Sequence, residues 1–195
     1  DLKPWQNEVM KITKFGHACL EFEENGQLLI LDPGIYTQPI ENRANVQAVV
    51  ITHIHDDHCH EEQLDRIIAL NPGIIIYGTD EVCKRLAASR PDFKLNPVHH
   101  GDFYEVGAFT LEFFGDMHAE IHRSIPLVQN CGVMVNDHLY YPGDSFTAPD
   151  RKVALLACPS VTPRDAGCEA LLVAHLKPAG FVCESLEAGP ADARV

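Results

Sequence analysis

The segment His53-Ile54-His55-Asp56-Asp57-His58 constrains this chain more than any other. It follows Gln47-Ala48-Val49-Val50-Ile51-Thr52, an apolar run that reads as a buried strand. Five of the six residues carry imidazole or carboxylate groups. Held unpaired at the end of a core strand, such groups lose hydration without compensation. A divalent cation resolves the conflict, because neutral imidazole nitrogen and carboxylate oxygen are its ordinary ligands. His53 and His55 alternate, so an extended loop aims both rings at one point. Asp57 and His58 follow on a turn and diverge toward a second point. The fold must therefore bring a core strand to a rim where other ligands meet it.

The rest of the chain is compatible with that demand. Its 195 residues suit one compact domain with a sizeable core, and 46% of them are apolar. A single domain is expected over residues 1–195, with 1–9 as an N-terminal extension and 158–195 as a divergent C-terminal part. No apolar stretch reaches the roughly 20 residues of a membrane span. The start, Asp1 to Glu8, lacks the basic-then-apolar plan of a secretory signal. A formal net charge of -13 disfavours nucleic acid or an anionic membrane as partner, which leaves a small-molecule substrate. The seven cysteines are scattered without a C-x-x-C pair, which fits reduced thiols and a cytoplasmic location.

Strand-like runs cover Met10–Phe15, Ala18–Glu23 and Gln27–Leu31, with Asn25-Gly26 as a hairpin signal between the last two. Helices are expected over Glu61–Leu70 and over Thr79–Ala88, the second capped by Thr79. Ile74–Tyr77 reads as a buried strand between them. Short strands fill Asn96–Phe114, and a hairpin around Asn136-Asp137 joins Gln129–Val135 to His138–Tyr141. Val153–Ala157 is expected as a strand, Asp165–Leu176 as a helix and Ala179–Cys183 as a last strand. Two sheets flanked by helices fit this order.

His53-x-His55-x-Asp57-His58, after a strand ending in Thr52, resembles the H-x-H-x-D-H signature of the metallo-β-lactamase superfamily. Further matches run in order: Gly16-His17-Ala18-Cys19, Leu31-Asp32-Pro33-Gly34, Gly115-Asp116-Met117-His118 and Tyr141-Pro142-Gly143-Asp144-Ser145. The pattern is similar to the branch of small metal-dependent hydrolases that includes ascorbate-6-phosphate lactonase-like proteins. The resemblance covers about residues 10–157. It implies an α/β fold of four αββα layers and a binuclear centre. One metal would take His53, His55 and His118. A second would take Asp57 and His58, and Asp144 would bridge the two. Zinc is the implied metal, as one or two ions, with manganese or iron as alternatives. The implied activity is hydrolysis of a small-molecule ester, lactone, amide or phosphodiester by a metal-bridging hydroxide, which Asp57 helps to orient. Asp32 reads as the carboxylate that orients a ligand. Cys59 reads as a small buried residue, and His17 as either a site or a surface residue.

One feature departs from the pattern. The family's last metal-binding histidine usually follows a Lys-Pro and a strand. Here Leu176-Lys177-Pro178 leads to Glu184-Ser185-Leu186-Glu187, without histidine. Three alternatives follow: Glu184, Glu187 or water completes the second position, that position is weak, or the C-terminal part is aberrant. A weakly active or non-catalytic metal-binding protein is thus the alternative. A redox di-iron protein is a third reading; flavodi-iron enzymes carry Glu where this chain has His55.

Overall fold

The computed structural model describes residues 10–159, 171–175 and 181–185. Two sheets face each other. The first has seven strands in the order β13-β1-β2-β3-β4-β5-β6: β1 (Met10–Lys14), β2 (Leu20–Glu24), β3 (Gln27–Leu31), β4 (Val46–Ile51), β5 (Ile75–Gly78), β6 (Lys94–Pro97) and β13 (Phe181–Ser185). The second has six, β12-β11-β10-β9-β8-β7: β7 (Phe103–Val106), β8 (Phe109–Phe114), β9 (Gly132–Val135), β10 (Leu139–Tyr141), β11 (Leu155–Pro159) and β12 (Leu171–His175). Helices α1 (Glu61–Leu70) and α2 (Asp80–Ser89) follow β4 and β5 as crossovers between parallel strands.

Side-chain alternation explains the layering. Along β4, Ala48 and Val50 point into the core between the sheets, against Phe113, Val133 and Tyr141 of the second sheet. Val49 and Ile51 point the other way, where Leu64 and Ile67 of α1 and Val82 and Leu86 of α2 cover them. A strand apolar on both faces is thus buried on both faces. Each helix has one apolar stripe, and both stripes face the same sheet. Phe114, Met134 and Tyr140 form a smaller cluster with partly buried Val153 and Leu156.

Local chemistry sets the connections. Asn25 and Gly26 both have positive φ, 54° and 69°, as a tight hairpin turn demands. Asn136 and Asp137 adopt the same region at the β9–β10 turn. The Thr79 side chain accepts a hydrogen bond from Val82 N and caps α2.

The sequence expectation fails at one element. A helix was expected over Asp165–Leu176, but Leu171–His175 is strand β12, paired antiparallel with β11. The run Leu-Leu-Val-Ala-His is too short for its apolar spacing to separate helix from strand, and pairing with an open sheet edge decides it. His175 therefore stands in a strand; the expected helical residues 165–170 and Leu176 lie outside the described part. Among the described residues no helix is long and apolar enough to cross a membrane.

Candidate metal centre

β4 is parallel to β3 and β5, so the C-terminal ends of these strands share one rim. The His53–His58 loop leaves β4 at that rim. It is held from three sides. Ile35 N donates to Asp56 O at 2.8 Å and His60 N to Pro33 O at 3.2 Å. Arg85, on α2, donates to Ile54 O and to Asp56 Oδ1, each at 2.7 Å. Gly34 lies so close that a Cβ there would stand 1.7 Å from Asp57 O, which excludes any larger residue.

Asp32, at the end of β3, organises the interior of the loop. It is fully buried and has a positive φ of 45°. Its Oδ1 accepts from Thr52 N at 2.7 Å; its Oδ2 accepts from Thr52 Oγ1 at 2.6 Å and from His58 Nδ1 at 2.7 Å. Thr52 Oγ1, having given its proton to Asp32, accepts from His53 Nδ1 at 3.0 Å. One carboxylate thereby fixes two imidazoles. Both must carry their proton on Nδ1 and turn Nε2 toward the site. His118 is fixed in the same sense, since its Nδ1 lies 2.6 Å from Ala119 O, which can only accept.

The result is a ring of lone pairs. The ring centroids of His53, His55 and His118 are 4.8 Å apart in all three pairs. Their ligand nitrogens lie within 4.8 Å of one another. The Nε2 atoms of His53 and His118 are buried and have no hydrogen-bond partner. Buried polar atoms are rarely left so, and a cation at the centre of the triangle would satisfy both. Burial pushes the His53 pKa far down, and neighbouring imidazoles push it further, so its ring is neutral. Burial lowers His55 too, with His118 adding to it. Neutral imidazole is the form that binds metal.

A second group of donors lies beside the first. The ligand atoms of His17, Asp57 and His58 are within 4.8 Å of one another. Asp144 stands between the groups. Its Oδ2 is 3.5 Å from His118 Nε2 and 4.0 Å from His53 Nε2, and its Oδ1 is 3.6 Å from His58 Nε2. Burial pushes the His58 pKa down, but the charge and hydrogen bond of Asp32 outweigh it and hold His58 at about 9. For Asp57 burial acts upward, and the hydrogen bond from His17 leads the effects that bring it down to about 2. Asp32, His53 and His58 form a third close group. There the oxygens of Asp32 are already engaged by Thr52 and His58 Nδ1, so Asp32 supports the centre rather than facing it.

The six residues expected from the sequence thus fall around one rim: His53, His55 and His118 together, Asp57 and His58 beside them, Asp144 between. Cys59 is buried and its thiol is pushed up to about 12 by burial, which suits a packing residue. Of the glutamates considered for the second position, Glu184 is on β13 in register with Thr13, and Glu187 lies outside the described residues. Sequence reasoning missed Asn130 altogether. It is fully buried; its Oδ1 accepts from Asp144 N at 3.0 Å and its Nδ2 donates to Pro142 O at 2.9 Å. Nothing in its local sequence marks it, because its partners come from a loop 12 to 14 residues away.

Residues 11–159 match the model of the beta-lactamase superfamily domain. A Mycobacterium tuberculosis protein, Rv0786c, is 31% identical over 79% of this chain and 73% of its own length. A Carboxydothermus hydrogenoformans protein named UPF0173 metal-dependent hydrolase is 29% identical over 74% of this chain and 66% of its own. A short similarity of 41 residues, 21% of this chain, is 61% identical to succinyl-diaminopimelate desuccinylase of Verminephrobacter eiseniae but takes in 10% of that enzyme. Among solved structures, one from Parabacteroides distasonis superposes with a TM-score of 0.61 at 18% identity, over 78% of this chain and 70% of its own. The metallo-beta-lactamase fold protein YhfI of Bacillus subtilis gives 0.53 at 18% identity, over 76% and 68%.

Proposed function

Because the chain belongs to the beta-lactamase superfamily domain family, with its α/β sandwich, we propose that it is a metal-dependent hydrolase of small-molecule esters, lactones, amides or phosphodiesters. The observation that carries the reading is the His53–His55–His118 triangle, in which the buried Nε2 atoms of His53 and His118 have no hydrogen-bond partner. These three residues would hold one metal, Asp57 and His58 a second, and Asp144 would face both. Bound there, divalent metal supplies a nucleophilic water at neutral pH and positive charge to balance a developing oxyanion. The protein's own part is orientation. Asp32 and Thr52 keep the lone pairs inward, and Asn130 positions Asp144. Asp57, at about 2, remains a carboxylate at neutral pH and can orient a water by accepting a hydrogen bond from it.

Zinc is the first choice for a donor set dominated by imidazole. The names of relatives such as the Carboxydothermus protein favour hydrolysis over redox chemistry. Exposed apolar side chains lie on the loops nearest the ligands: Ile35 and Tyr36 before the His-rich loop, Met117 and Ile121 around His118, Phe146 after Asp144. They favour a substrate with an apolar portion over a nucleic acid, as does the net charge of -13. Cys19, Cys59, Cys83 and Cys131 are all free, in keeping with a reducing cytoplasm. The test is hydrolysis of a panel of lactones, esters, amides and phosphodiesters by zinc- or manganese-loaded protein. His53→Ala and His118→Ala should each abolish turnover; full activity in both would overturn the reading.

A further inference from the structure

Beside Asp57 and His58 of the second position stands another imidazole, that of His17. His17 Nε2 is 2.9 Å from Asp57 Oδ2. His58 Nε2 is 3.8 Å from that same oxygen and 3.6 Å from Asp144 Oδ1. Tetrahedral zinc with bonds of about 2.0–2.1 Å separates its ligand atoms by roughly 3.3–3.4 Å. These three spacings bracket that value, and the ligand atoms of His17, Asp57 and His58 all lie within 4.8 Å of one another.

The backbone supports a directed role. His17 has φ of 39°, in the left-handed region that histidine, asparagine and aspartate enter more readily than other non-glycine residues. It follows Gly16 in a turn tied by Cys19 N to Gly16 O at 3.1 Å and Phe15 N to Cys19 O at 3.0 Å. The turn carries the side chain off the β1–β2 connection and sets its ring edge-on to Tyr36 and His58, at centroid distances of 5.3 and 5.9 Å. In the metal-free state Nε2 must carry the proton it shares with Asp57. With the proton on Nδ1, the same nitrogen presents a lone pair to a cation.

We infer that His17 is a ligand of the second metal position, alongside Asp57, His58 and Asp144 Oδ1. The inference rests on the proposed metal centre. The simpler role, a partner that steadies Asp57, differs in magnitude: loss of a supporting partner weakens metal binding roughly 10–100-fold, whereas loss of a ligand exceeds that range.

The test is equilibrium dialysis of the full chain against zinc sulfate with elemental analysis, for wild type, His17→Gly and His17→Asn. Both substitutions tolerate positive φ, so each keeps the turn while removing the imidazole; circular dichroism checks the fold. Wild type should bind two equivalents. The variants should keep one at unchanged affinity and weaken the other more than about 100-fold, and millimolar imidazole should restore the second equivalent to His17→Gly. Two undiminished equivalents in either folded variant, or a single equivalent in wild type, would overturn the role of His17 and leave the first position standing. Wild type that binds no zinc would overturn the metal centre itself.

Discussion

At the scale of single residues, the centre depends on groups that do not face it. Asp32 satisfies a buried amide, a buried hydroxyl and a buried imidazole at once. Asp32→Ala should therefore cost about 3 kcal/mol or more in denaturant unfolding and lower zinc affinity roughly 10–100-fold. Titration gives a second signature in chelator-treated protein. His58 rises from 6.5 to about 9 on folding, so its stabilising effect is complete below pH 6.5 and disappears as pH climbs through 9. Asp57 falls from 3.8 to about 2, so its contribution is present above pH 3.8 and disappears as pH drops through 2. Unfolding midpoints of the metal-free protein should thus decline on the alkaline side between pH 6.5 and 9. His58→Gln should flatten that decline.

At the scale of elements, the site is a product of close approaches between loops. The Gly34 backbone lies against Asp57, and a Cβ at Gly143, which has φ of 60°, would meet Asn130 Oδ1 at 2.5 Å and Thr52 Oγ1 at 2.7 Å. Gly34→Ala should destabilise the fold by at least about 2 kcal/mol and reduce metal binding with it. Arg85→Ala should act differently. The Arg85–Asp56 pair is partly exposed, so global stability should change by less than about 1 kcal/mol, while proteolysis or hydrogen exchange in residues 54–57 should rise.

The same elements separate what the sequence made legible from what it did not. β4, its His-rich loop, α1 and α2 are short-range features: apolar runs, a cap and a compact motif. β12 is not legible in the sequence because five apolar-rich residues satisfy either period, and strand pairing across the sheet is invisible in one dimension. Asp57 and His58 were found from spacing. Asn130, and the direction of His17, depend on contacts between residues distant in the chain. The positive φ of His17, unlike those of Asn25 and Asn136, is not announced by a hairpin signal in the sequence.

At the scale of the whole molecule, two sheets and a helical layer form a base whose rim gathers ligands from the loop after β4 and the loops around β8 to β10. Such a rim holds several imidazole and carboxylate groups in a small volume, and metal binding relieves that crowding. Zinc at about a hundred times its Kd should stabilise the fold by about 2.7 kcal/mol per site and raise Tm by roughly 5–10 °C, reversed by chelator. Scanning calorimetry with and without metal measures it.

The most direct test of the central claim is X-ray diffraction from zinc-soaked crystals with data at the zinc edge. The account predicts an anomalous peak inside the triangle of His53, His55 and His118, about 2.0–2.1 Å from their inward nitrogens. Well-ordered imidazoles around an empty triangle at saturating zinc would contradict it.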